Sequence, residues 1–335
     1  MNTDTDPKRD DDLIGQLIQQ AGRREQPPQA DYERVLAAST AVLENKLRQR
    51  RRKQTSIWLS AGVAAAAIVG AVLLNFVQQP ALEVARIDRA LGTIETRSDE
   101  ASPWSGIADE NQALIAGTSL RTRAGSRLGV QLASGISVRL DESTEITLAD
   151  DDRLVLLTGK VYVDSGKLPS NDRRIAVETV AGTATDVGTQ FEVRYASEAL
   201  RLRVREGRVD LQRDSDELSS VAGDELFIDP TGAVRRARIA VDDPDWGWAE
   251  TVAPAPNIEE RPVSALLDWV SRETGREVRF AQPILELKAE TTILHGSIRN
   301  LAPLNALDVM LATTDLEYSL LEDGTILVSA KTKIY

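Results

Sequence analysis

The chain has 335 residues, a formal net charge of −12, no cysteine and one histidine. That length allows about two or three domains. An acidic balance argues against a nucleic-acid partner, because phosphate binding needs a basic face. Without cysteine there are no disulfides, thiol chemistry or cysteine-type zinc sites, and one histidine excludes multi-histidine metal centres. The charge is also uneven: residues 1–55 hold 11 Lys/Arg against 9 Asp/Glu, for +2, and the remainder carries −14.

Residues 1–55 read as a short helical tail. Asp10, Asp11 and Asp12 precede Leu13, Ile14, Leu17 and Ile18, an apolar face at helical spacing with carboxylates at its positive end. Gly22 and Pro27-Pro28 stop that helix. Asp31 can cap a second one, with Tyr32, Val35, Leu36, Val42, Leu43 and Leu47 down one side. Two amphipathic helices in so short a segment bury their apolar stripes poorly against each other. The tail is therefore expected to complete its core on a protein partner or to lie on a membrane.

Residues 56–78 are the decisive stretch. Ile57 to Val77 contains no charged residue, and roughly 20 mainly apolar residues suffice for a helix to cross a bilayer core. Trp58 and Phe76 stand near its two ends. A cleaved signal peptide fits worse: its apolar core is shorter, and a small-residue cleavage site follows it. Lys46, Arg48, Arg50, Arg51, Arg52 and Lys53 lie just before the span, and Gln78, Gln79 and Pro80 just after it. Basic flanks stay in the cytoplasm, so the expected topology is a single pass. The amino terminus would face inward and the large carboxy-terminal part would lie outside. The same basic cluster suits anionic lipid better than DNA.

From residue 79 to about 240 the pattern changes to short alternating segments separated by Gly, Asp, Asn and Ser. The clearest is Leu200–Arg205, in which Leu200, Leu202 and Val204 point one way and Arg201, Arg203 and Arg205 the other. Turns are expected at Ser134-Gly135, Thr158-Gly159, Glu206-Gly207, Gly223-Asp224 and Thr231-Gly232. This is an all-β region, and periodicity leaves sandwich, barrel and solenoid open.

The motifs in this region come in a distinctive order. Gly117-Thr118-Ser119-Leu120-Arg121-Thr122 is followed by the run from Leu132 to Leu140 and then by the run from Leu156 to Val163. Ala176–Thr179, Asp186-Val187-Gly188-Thr189-Gln190-Phe191 and Val204–Val209 come next. This order resembles the FecR family of periplasmic sensor domains. Gly188 and Gly207 are expected to serve turn geometry or close strand packing, not to cradle a phosphate.

Pro244, Pro254 and Pro256 mark residues 241–256 as a linker, with Trp246 and Trp248 expected to pack between domains. Residues 257–335 read as a small α/β (βαβ) domain. Its expected elements are a helix over Val263–Thr274 stopped by Gly275, strands at Glu277–Phe280 and Thr291–Ile298, a helix from Pro303, and a hairpin through Glu322-Asp323-Gly324. The pieces Arg261-Pro262-Val263, Leu294-His295-Gly296 and Pro303-Leu304-Asn305 resemble the small signalling fold at the amino termini of secretins and TonB-dependent transporters. That fold also occurs at the end of FecR-type chains.

No chemistry-bearing motif competes with this reading. Asp150-Asp151-Asp152 lacks the alternating ligands of a calcium loop, and no dinucleotide, Walker or nucleophile-elbow signature occurs. No catalytic residue, metal site or cofactor is expected, and His295 reads as a structural residue. The resemblance implies a Gram-negative inner-membrane regulator that is not an enzyme. Its tail would act on an extracytoplasmic-function (ECF) sigma factor through Leu13, Ile14, Leu17, Val35, Leu36, Val42 and Leu43. Its periplasmic region would receive a signal from the signalling domain of a TonB-dependent outer-membrane transporter. A single helix transmits poorly by bending, so regulated proteolysis or a change in tail availability is the expected means. The rival readings are a membrane-anchored periplasmic scaffold without sigma-factor control and, further off, a periplasmic hydrolase.

Overall fold

Alternation of apolar and polar residues builds most of what the computed structural model describes, namely residues 82–107, 110–166, 174–186, 188–214 and 216–332. The tail and the expected span over 56–78 lie outside the described residues. Among the described residues, no helix is long and apolar enough to cross a membrane.

The first strands are β1 (Glu83–Leu91), β2 (Ile94–Arg97), β3 (Ser105–Gly106), β4 (Ala113–Ile115) and β5 (Ser119–Thr122). They continue with β6 (Arg127–Leu132), β7 (Ser137–Leu140), β8 (Glu145–Leu148) and β9 (Arg153–Asp164). The second half adds β10 (Ala176–Thr179), β11 (Gly182–Asp186), β12 (Gln190–Ala196) and β13 (Ala199–Glu206). It closes with β14 (Arg208–Arg213), β15 (Asp216–Val221), β16 (Asp224–Ile228) and β17 (Val234–Arg238).

These strands form two sheets. The first, sheet A, runs β4-β1-β6-β7-β9-β12-β13-β16-β17. The second, sheet B, runs β3-β2-β5-β8-β9-β10-β11-β14-β15. Leu128, Val138, Val161, Phe191 and Leu202 of sheet A share one buried core with Leu120, Ile146, Leu154, Val177 and Leu211 of sheet B. The β region is thus a two-sheet sandwich.

Strand β9 belongs to both sheets. Its first half pairs with β8 and β10, its second with β7 and β12. The turn expected at Thr158-Gly159 is therefore a bend inside one continuous strand. Gly159 has φ +100°, and a Cβ there would sit 2.4 Å from Thr144 Cα. Only glycine permits the strand to change sheets at that point.

The C-terminal unit comprises β18 (Arg261–Pro262), α1 (Val263–Thr274), β19 (Val278–Phe280), α2 (Pro283–Thr291), β20 (Ile293–Leu294), α3 (Pro303–Ala312), β21 (Leu316–Leu320) and β22 (Ile326–Ala330). A two-stranded sheet (β18, β20) and a three-stranded sheet (β19, β22, β21) accompany the helices, and β19 runs parallel to β22. Helix α2 and the shortness of β20 depart from the expected strand over 291–298. Pro283 opens α2, and its apolar residues fall on two faces: Leu285 and Ala289 are buried, while Ile284 and Leu287 are exposed. That split leaves little amphipathic signal to read.

Residues 241–258 do not behave as a loose tether. Pro244–Trp246 and Gly247–Glu250 form consecutive helical turns. Trp246, Ala249, Val252 and Ala253 are buried. This strap lies on sheet A.

Candidate functional interface

The outward side chains of sheet A form cross-strand rows. One row runs Arg139 (β7), Tyr162 (β9), Glu192 (β12), Arg203 (β13) and Glu225 (β16), each directly opposite the next. On a solvated face such a row would be exposed. Here Arg139, Tyr162 and Glu192 have 0% accessibility and Arg203 has 3%, because the strap and α1 cover them.

The strap supplies the aromatic part of the cover. Trp246 and Trp248 meet the Tyr162 ring edge-on, with centroids 5.8 and 6.5 Å away. Trp248 Nε1 donates to Glu192 Oε2 at 3.0 Å, and the other oxygen of that carboxylate accepts from Arg201 at 2.9 Å. The Arg203 guanidinium lies 4.9 Å from the Trp246 ring and pairs with Glu225, Asp243 and Asp245. Cation–π contact and ion pairing together offset the burial of that charge.

Helix α1 supplies the acidic part. Arg139 Nη1 and Nη2 donate to the two carboxylate oxygens of Glu273 at 2.7 and 3.0 Å, and Nη1 also reaches the Ala249 carbonyl at 3.2 Å. Burial opposes the charge on Arg139, but Glu273, Tyr162 and Asp164 together outweigh it, and the guanidinium pKa is raised. Burial, helped by the Asp164 and Glu273 carboxylates, pushes the neighbouring Tyr162 hydroxyl up to about 12, despite the pull of Arg205 and Arg139. Tyr162 is thus neutral at any physiological pH and serves as a ring.

The end of α1 is held by the sandwich. Arg205 Nη1 donates to the Glu273 carbonyl at 2.7 Å and Nε to the Val241 carbonyl at 2.7 Å. A cation thus meets one of the carbonyls that a helix leaves without an intrahelical partner at its carboxy end. Gly275 follows at φ +68°, and a Cβ there would lie 2.4 Å from Val241 O. Arg272 Nη1 donates to Glu206 at 2.8 Å, and its Nη2 pairs closely with Asp164. Gln190 then joins Asp164 (2.9 Å) to the Arg272 carbonyl (3.3 Å). Burial raises the Asp164 carboxyl, but Arg272 and Arg139 together bring it below the usual carboxylate range.

Beside this contact, Asp186 and Thr189 are held by hydrogen bonds. Thr189 Oγ1 donates to Asp186, and Thr189 N donates to Ser165 Oγ at 2.8 Å. Asp186 is fully buried, and that burial raises its carboxyl pKa. Gly207, at φ +78°, would place a Cβ 2.4 Å from the Gly188 carbonyl. Close packing is therefore what this glycine provides. His295 is exposed and shares a 3.0 Å hydrogen bond with Glu259.

The geometry places FecR-like motif residues at the centre of this contact, among them Arg139, Tyr162, Gln190 and Arg205. Residues 118–210 match the family model described as FecR protein. That segment is what the chain has in common with the FecR family. The matched segment runs from β5 to the start of β14 and includes the four strands that carry Arg139, Tyr162, Glu192 and Arg203. Two crystal structures of a candidate anti-sigma factor from Parabacteroides distasonis are similar to the chain at 15% identity. Each alignment covers 64% of this chain and 99% of that one, with a TM-score of 0.35. No curated protein matches.

The expected sigma-facing residues Leu13, Ile14, Leu17, Val35, Leu36, Val42 and Leu43, and the basic residues from Lys46 to Lys53, lie outside the described residues. The buried charges of sheet A carry almost no signal in the sequence. Their one visible signal was the Arg201-Arg203-Arg205 alternation, which describes a solvated face equally well.

Proposed function

We propose that the chain is a single-pass inner-membrane signalling regulator, with residues 1–55 acting on an ECF sigma factor. In this reading the periplasmic part receives a signal from the signalling domain of a TonB-dependent outer-membrane transporter. The observation that carries it is the FecR match over residues 118–210, placed after a charge-free stretch from Ile57 to Val77 with six Lys/Arg between residues 46 and 53 just before it and none among residues 78–85 just after it. No enzymatic step is needed. The sandwich and the C-terminal unit share a fully buried ion pair, so a force applied to α1 reaches the strands that lead back toward residue 82. The outer region thus acts as one lever, not as two beads on a string.

The test is in-cell cross-linking of the full-length chain followed by mass spectrometry. Recovery of a sigma factor, lost when Leu17, Leu36 and Leu43 are changed to Asp, is the expected result. A chain that cross-links only to periplasmic proteins, and whose deletion leaves transcription unchanged, would favour the scaffold reading instead.

A further inference from the structure

A second feature of the sandwich is independent of signalling. Strand β1 bulges where it pairs with β6: Ile87 faces Val130 and Arg89 faces Gly129, which leaves Asp88 as the extra residue. Consecutive strand residues normally point to opposite faces. The bulge re-aims them, and Asp88 and Arg89 both line one cleft of about 460 Å³. That volume is in the range of small-molecule sites, roughly 300–1,000 Å³. Its walls come from three parts of the chain: Asp88, Arg89 and Glu110 from the sandwich, Asn257 from the strap, and Ser297 and Arg299 from the C-terminal unit. Gly129 makes room for the strap, since a Cβ there would sit 2.9 Å from the Val252 carbonyl.

The charges in this cleft are short of partners. Arg89 Nη2 donates to the Asn300 carbonyl at 2.8 Å, whereas its Nε and Nη1 are out of solvent and bonded to nothing. Withdrawing part of a guanidinium from water without a partner is costly. Burial lowers the Arg89 pKa, even with Glu110 and Asp88 nearby. Asp88 stays open to solvent on one side, and partial burial still raises its carboxyl. Arg89 and Arg299 would answer a dianion, but Asp88 and Glu110 on the same walls would repel it. A simple cation would leave the guanidinium as it is. A molecule with both charges a few ångströms apart answers the whole set.

We propose that this cleft binds a small α-ammonium carboxylate, a free amino acid. Its carboxylate would sit on Arg89 and its ammonium on Asp88 and Glu110. Such a ligand would touch the sandwich, the strap and the C-terminal unit together. The site goes beyond the signalling role and does not depend on it.

Isothermal titration calorimetry on the full-length chain tests this with alanine, acetate, methylammonium and inorganic phosphate as probes. Alanine should bind saturably, with acetate and methylammonium at least about tenfold weaker. Arg89→Gln should abolish binding. Asp88→Asn, at a half-open position with no structural bond to lose, should weaken it about tenfold without moving the unfolding midpoint. If Arg89→Gln fails to fold, the Asp88 variant still decides. Three results would overturn the site: no alanine binding up to about 10 mM, tighter binding of phosphate or acetate alone, or unchanged alanine binding in Asp88→Asn.

Discussion

The two sheets of the sandwich carry similar charges to different ends. On the outer face of sheet B, Arg121 pairs with Glu95, Arg97 sits 3.5 Å from Glu145, and both arginines stack on Trp104 at 4.1 and 4.5 Å. These side chains keep roughly a fifth or more of their surface in water. On sheet A an equivalent row lies under the strap and α1, and Arg139 and Glu192 are fully buried. An exposed ion pair gains little, because water screens it and its side chains must be ordered. A buried pair is a commitment, because losing one partner strands the other in a low dielectric. Sheet B is therefore a tolerant surface, and sheet A is a joint.

Matched substitutions on the two faces sharpen this difference. Glu273→Ala should cost about 3–5 kcal/mol by removing the carboxylate that both Nη atoms of the buried Arg139 bond to, leaving it only the longer ion pair with Asp164. Glu95→Ala on sheet B should leave the midpoint of chemical unfolding almost where it was. The pair Arg139→Met with Glu273→Leu should recover most of the loss, because removing both charges also removes their desolvation cost. A Glu273→Ala variant as stable as the wild type would mean that the joint carries no load.

Trp246→Ala should cost about 3–5 kcal/mol, since it empties a fully buried site against Tyr162. Trp104→Ala, on the half-exposed arginine stack of sheet B, should cost clearly less in the same thermal melts. A smaller contrast compares two glycines with the same φ of +68°. Gly125→Ala meets open space and should show strain alone, roughly 1–2 kcal/mol. Gly275→Ala also drives a methyl group against the Val241 carbonyl and should exceed it. Equal losses would show that α1 can shift away from the strap.

The smallest effect is in pH. The Asp164 carboxyl lies below its ordinary value in the folded chain, so the native state favours the ionised form. Its contribution is complete above the ordinary carboxylate pKa of about 3.9 and fades as pH falls through the lowered folded value. Asp164→Asn should flatten the acid side of a stability-against-pH curve and leave its alkaline side unchanged. An unchanged acid limb would exclude Asp164 as a contributor.

Much of the sandwich was legible because alternation is a local property. The alternating run Leu200–Arg205 stands out in the sequence and falls inside one strand, Ala199–Glu206. The bend at Gly159 was read as a turn, since a glycine between two apolar runs carries the same signature whether the chain reverses or only changes sheets. Helix α2 was missed because apolar residues on two faces cancel the periodic signal. The buried fate of Arg139, Arg203 and Arg205 could not be read locally. It depends on a strap about 35 to 110 residues further along the chain, and an arginine facing water has the same neighbours in sequence as one facing Glu273.

Native-state hydrogen exchange, followed residue by residue on the full-length chain, tests the joint most directly. If sheet A and the C-terminal unit are one body, the inner amides of α1 and those of β12 and β13 open together, at one free energy. Glu273→Ala should then separate them, with α1 exchanging first. Wild-type α1 amides that exchange in their own lower-energy step, while β12 and β13 stay protected, would contradict the account.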